Sequence, residues 1–152
     1  MHTFARSADH ADILQRLARL TPESRRRWGR MSPHQVVCHL SDSYKVVIGE
    51  RPVAGSPTLL GRTLIRFIAL STPMAWPKGT PTMKEVDQDF GGTRPEEFTR
   101  DMSELRALIE RVAATPRDFT WASHPLFGPL TEREWLHWAW RHPDHHLRQF
   151  GL

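Results

Sequence analysis

Nine histidines in 152 residues are the side chains from which a chemistry can be built, and two of them stand at a telling spacing. His142 and His146 are four residues apart. On a helix such positions lie about 40° apart and one turn above each other, so both imidazoles reach one metal ion. A third ligand has to come from another element. His39 is the best placed, because it stands among Val36, Leu40 and Val47 on a helix face predicted to be buried. Alone it would read as a hydrogen-bonded core residue; with a histidine pair on a second helix it reads as the third ligand. Three neutral imidazoles leave a divalent ion its full charge and an open position for water or a thiol. Zinc or nickel fits that donor set best, with iron or manganese also compatible.

His34 and Cys38 repeat the four-residue spacing, and imidazole with thiolate is a sound zinc pair. His34, however, falls in the first turn of its helix, and Cys38 points about 100° away from His39. Cys38 therefore reads as a small buried apolar residue. Two further residues are candidates for catalysis. Asp42, one turn after His39, is placed to orient a ligand imidazole or accept a proton, unless it lies on a solvated face. His124 precedes Pro125 in a loop and either lines a pocket or caps a turn. His145 points away from His146, toward solvent or a neighbouring chain.

The elements that must carry these residues announce themselves by their start signals. Ser7 opens a first helix with Ile13, Leu14, Leu17 and Leu20 on one face. Ser32, Pro33 and Gln35 form an N-cap, a first-turn proline and a capping box for a helix that should run to Ile48 and stop at Gly49. Ser56 and Pro57 open a third, carrying Leu59, Leu60, Leu64, Ile65, Phe67 and Ile68. Thr93 with Glu96 is read as the cap of a long helix bearing Met102, Leu105, Ile109 and Val112. Thr131 with Glu134 opens the last, through Trp135, Trp138 and His142 to Gln149. Two stretches rich in proline and glycine, 71–83 and 115–130, cannot stay helical and should be ordered loops. With no strand-like alternation, the reading is one all-α domain over 1–152, a four-helix bundle with two long ordered loops. The loops, with Met74, Trp76 and the segment HPLFG, are expected at the mouth of the metal pocket.

Composition narrows the partners. One cysteine allows no internal disulfide and suits a reducing, cytoplasmic setting. The first ten residues are polar, and the apolar run near 64–70 is broken by Arg66, so neither a signal core nor a membrane span is expected. Net charge is +4 and 18 of the 21 basic residues are arginine, but they are interleaved with carboxylates instead of forming a stripe. A small-molecule substrate is expected, with no nucleic acid or membrane as partner. The tryptophan-rich C-terminal end offers apolar surface for a homodimer.

The stretch HLSDS around His39, with HPDHHLRQFGL near the C-terminus, resembles the bacterial DinB-like bundles, also called the YfiT-like metal-dependent hydrolase superfamily. MSPHQVVCHLSDSYKVVIGERP, HPLFGPLTEREW and HHLRQFG together resemble one uncharacterised branch of it, over nearly the whole chain. The resemblance implies a DinB-type four-helix bundle whose metal ligands map onto His39, His142 and His146, the set already chosen by spacing. It also implies a metal-dependent transferase or hydrolase acting on a small electrophile, with a low-molecular-weight thiol as cosubstrate. The alternative is a non-catalytic or residual metal-binding bundle. One residue departs from the pattern: Pro143, between the paired histidines, removes the donor that would bond the Ala139 carbonyl. A kink or widened turn is expected there, with that carbonyl finding another donor.

Overall fold

A computed structural model describes residues 1–55 and 57–152; the helix start read at Ser56 lies outside the described residues. The helices are α1 (Ser7–Leu17), α2 (Pro33–Val47), a short α3 (Arg66–Ser71), α4 (Phe98–Ala113) and α5 (Glu132–Gln149). A wide-turned π segment, Gly61–Ile65, leads directly into α3, and one 3-10 turn spans Lys84–Val86. Among the described residues there is no strand, only a single bridge between His124 and Gly128. The all-α expectation holds. Among the described residues no helix is long and apolar enough to cross a membrane.

Two of the predicted starts are built as read. Ser32 accepts from the Gln35 amide (3.1 Å) and Gln35 reciprocates on the Ser32 amide (2.9 Å). Thr131 and Glu134 do the same for α5 (3.3 and 2.8 Å). Each box satisfies two amides that a helix end leaves unpaired, and it fixes the residue at which the helix begins. Gly49 then ends α2 at φ +78°, a left-handed conformation open to glycine at little cost.

Two starts differ. Ser7 is the first residue of α1 and makes no capping bond. α4 begins later than the reading at Thr93: its cap is Glu97, whose carboxylate accepts from the amides of Thr99 (2.9 Å) and Arg100 (2.6 Å). Thr93 is instead drawn to the buried Asp42.

The core is gathered between α1, α2, α4 and α5. Ile13 and Leu17 from α1, Val36, Leu40 and Val47 from α2, Leu105 and Ile109 from α4, and Trp135 and Leu147 from α5 are closed to solvent. Trp135, Trp138 and Trp140 are all buried. The apolar surface expected at the tryptophan-rich end is therefore core. The exposed apolar side chains lie elsewhere, on the helical stretch around α3.

Candidate metal centre

His39 lies seven residues past the Ser32 cap, where α2 faces α5, and His142 and His146 project from α5 onto the same point. The three ring centroids form a nearly equilateral triangle, 5.0, 4.8 and 5.0 Å on a side. One nitrogen of each ring lies within 4.8 Å of the others, and all three residues are buried. The spacing argument and the geometry coincide.

The second nitrogens show which lone pairs remain. His39 Nδ1 donates to the Val86 carbonyl (2.7 Å), and His146 Nδ1 donates to Gln149 Oε1 (2.9 Å). Burial lowers the pKa of all three histidines, well below the ordinary value for His142 and His146, so the rings are neutral. A neutral ring that donates from Nδ1 has a bare lone pair on Nε2. His39 and His146 thus each present an acceptor to the centre of the triangle. His142 Nε2 lies 3.1 Å from His39 Nε2, while its Nδ1 is buried without a partner. Converging lone pairs with a backbone or amide oxygen behind them are what a divalent cation requires of its ligands. The residues fit the ion.

Pro143 sits inside α5, which continues as α-helix from Glu132 to Gln149. The carbonyl it deprives is Ala139's, and the Tyr44 hydroxyl donates to it at 2.6 Å. The substitute donor expected from sequence is thus a buried tyrosine on α2. The same bond ties α2 to α5 one turn from His39 and from His142.

Asp42 does not face the histidine triangle. Its side chain is fully buried and both oxygens are taken: Arg51 donates at 2.8 Å, the Thr93 hydroxyl at 2.6 Å, the Thr93 amide at 2.7 Å and Gln88 at 3.1 Å. Arg51 also donates to the carbonyls of Glu85 (2.9 Å) and Gly91 (2.6 Å), and Arg30 pairs with Asp87 and Asp89. Together these bonds hold residues 84–93 in place, and within that stretch lies the Val86 carbonyl that orients His39. Asp42 bonds no histidine of the triangle, and its link to the site runs through the 84–93 loop.

His124 is a turn cap. Its Nδ1 accepts from the amides of Leu126 (3.1 Å) and Phe127 (3.2 Å), and its ring stacks on Phe127. Burial pushes its pKa down to about 3. Trp138 stands between it and the triangle, 5.7 Å from His124 and 4.7 Å from His142. The HPLFG loop therefore covers core at this point.

The 71–83 loop does reach the site. Trp76 lies 5.9 Å from both His142 and His145, and Arg141 holds the loop by donating to the carbonyls of Thr72 (2.7 Å) and Met74. His145 packs against Trp28 at 4.9 Å and Met74 is exposed.

His34, Cys38 and Asp101 form a second grouping of ligand types. Here the bonds are complete without an ion: His34 Nε2 donates to Asp101 Oδ2 (2.8 Å), as does the Glu96 amide (3.1 Å). Burial, with Asp101 beside it, pushes the Cys38 thiol up to about 12. Cys38 is the buried small residue expected.

Val86, Gln149 and Tyr44 are the supporting residues that sequence reasoning missed. Gln149, three residues after His146 on one helix, was within reach of a spacing argument. A backbone carbonyl carries no such signal.

A family model described as a protein of unknown function (DUF1569) matches residues 3–151. No curated protein and no solved structure matches the chain.

Proposed function

The chain belongs to the DUF1569 family, and we propose that it is a metal-dependent enzyme on a DinB-like four-helix bundle, with His39, His142 and His146 holding one divalent ion. The observation that carries this reading is the pair of pinned tautomers, which leaves the Nε2 lone pairs of His39 and His146 converging in a buried space. Zinc or nickel suits three imidazoles best. The chemistry such an ion supplies is Lewis acidity toward a substrate oxygen or sulfur. The chain's own residues contribute the setting. Trp138 and Trp76 pack near the His142 ring, and Arg141 fixes the loop that brings Trp76 there. The reaction class proposed is attack on a small electrophile, by a low-molecular-weight thiol in a transfer or by water in a hydrolysis.

A second reading, a metal-binding bundle without turnover, is favoured by one observation. Both sequence candidates for a catalytic role are engaged elsewhere, Asp42 in the 84–93 loop and His124 in its own turn. Elemental analysis of untagged protein, followed by thiol-conjugation assays on the metal-loaded form, separates the readings. Stoichiometric metal with turnover lost in His39→Ala supports the enzyme; stoichiometric metal without turnover supports the second reading. Protein that binds no divalent ion under titration overturns both.

A further inference from the structure

The helical stretch 59–71 breaks the rule that apolar side chains on a helix face the core. Leu60, Leu64 and Ile68 follow one another at four-residue spacing with Phe67 beside them, and Leu59 extends the row. These five residues are between 42% and 80% exposed. The opposite side of the stretch supplies only Gly61 and Leu70 as buried residues. Gly61 is pressed so closely to the Leu126 carbonyl that an added Cβ would lie 2.6 Å from it, which brings the exposed Leu126 to the edge of the row. A helix this short is marginal in water unless packing holds it. Half of that packing is missing.

We propose that this face is the interface of a homodimer, in which the 59–71 stretch packs against its own copy across a twofold axis. The area supports it. The six exposed side chains offer roughly 700 Å², above the largest patch of most monomers and close to the ~800 Å² per partner of a standard interface. An isologous contact needs a surface that complements itself, and an unbroken apolar row does so.

Charge supports it as well. The stretch contains no acidic residue and two arginines, Arg62 and Arg66. Arg66 carries its own counter-ion, donating to both Glu134 oxygens (2.8 and 2.6 Å) and to the Pro129 carbonyl (3.0 Å). Arg62 lies along Gly128, where an added Cβ would come within 3.0 Å of its Nε. Arg66 is thus neutralised within its own chain, and Arg62 is drawn aside along Gly128 instead of standing in the apolar row. A helix seated on an anionic bilayer would instead turn its arginines outward to the phosphates. The interface also adjoins the candidate metal centre, since Trp76 Nε1 donates to the Ala69 carbonyl (3.0 Å) at the end of the same helix.

Sedimentation equilibrium of the full chain at micromolar concentration tests this. The expected mass is twice the 17.6 kDa of one chain, falling to that of one chain in the double variant Leu64→Glu, Phe67→Glu. Because both positions are exposed, helical circular dichroism should be retained. A wild-type chain of single mass overturns the proposal, as does a double variant that keeps the doubled mass. A single-mass chain that co-sediments with phosphatidylserine vesicles assigns the face to lipid and overturns it too.

Discussion

A histidine becomes a dependable ligand when its other nitrogen is already committed, and in this chain that commitment comes from residues other than histidine. His146 owes its tautomer to Gln149. Replacing Gln149 with Met keeps the volume and removes the acceptor, and zinc affinity measured by calorimetry should fall by about 10- to 100-fold. The Gln149→Met melting temperature should move little, which distinguishes a lost orientation from a lost fold. Asp42 acts one step further back. Asp42→Ala would strand Arg51 and release the stretch that carries the Val86 carbonyl. Loss of one partner of a buried charge pair costs about 3 kcal/mol or more, so denaturant unfolding should register a large loss of stability. The three converging histidines were legible in the sequence because four-residue spacing and a buried helix face are properties of residue type and position. The supports were less so: Asp42 stood out one turn after His39, but its bonds to a loop with no regular period did not, and Val86 acts through its backbone.

At the scale of the element, capping boxes explain why so much of α2 and α5 could be read in advance. Ser32 with Gln35 and Thr131 with Glu134 are local devices that need no tertiary partner, and both are built as the sequence predicts. The Thr93 start failed because a tertiary bond outcompeted a local one: Asp42 takes both the amide and the hydroxyl of Thr93. The apolar residues of 59–71 were legible as a helix but not as a surface, because periodicity states which residues share a face and not what covers it. Pro143 shows a local defect repaired from another helix. With its amide gone, the Ala139 carbonyl depends on the Tyr44 hydroxyl. Tyr44→Phe should therefore cost about 1–3 kcal/mol, the usual penalty for stranding a buried polar group. The same substitution in a Pro143→Ala background should cost less, because the restored amide can bond that carbonyl. Chemical denaturation of the four proteins gives the coupling energy, and a coupling of zero would mean that Tyr44 and Pro143 do not share the carbonyl.

For the molecule as a whole, the excess of histidine makes acid the natural destabilising agent. His39, His124, His137, His142, His145 and His146 all have pKa values lowered chiefly by burial, His145 to about 4 and His124 to about 3. In the unfolded chain each titrates near 6.5. Below that pH the unfolded state takes up protons that the fold excludes, so the stabilisation present above 6.5 is lost as pH falls toward the folded values. The carboxylates with lowered values, among them Asp9, Asp101 and Glu134, contribute in a different window. Their stabilisation persists above their unfolded pKa near 4 and is lost only below it. Between pH 6.5 and 5 the histidines therefore act alone, and a group protonated only in the unfolded state costs about 1.4 kcal/mol per pH unit. The metal-free protein should lose stability steeply across that interval. His124 allows the slope to be dissected, because its side chain caps a turn and binds no ion in the proposed site. His124→Asn keeps a short acceptor for the Leu126 and Phe127 amides but removes the titrating ring. Its plot of unfolding free energy against pH should be shallower than the wild type's by about 1.4 kcal/mol per pH unit. An unchanged slope would mean that His124 keeps an ordinary pKa in the fold, and that burial against Trp135 and Trp138 does not hold it neutral.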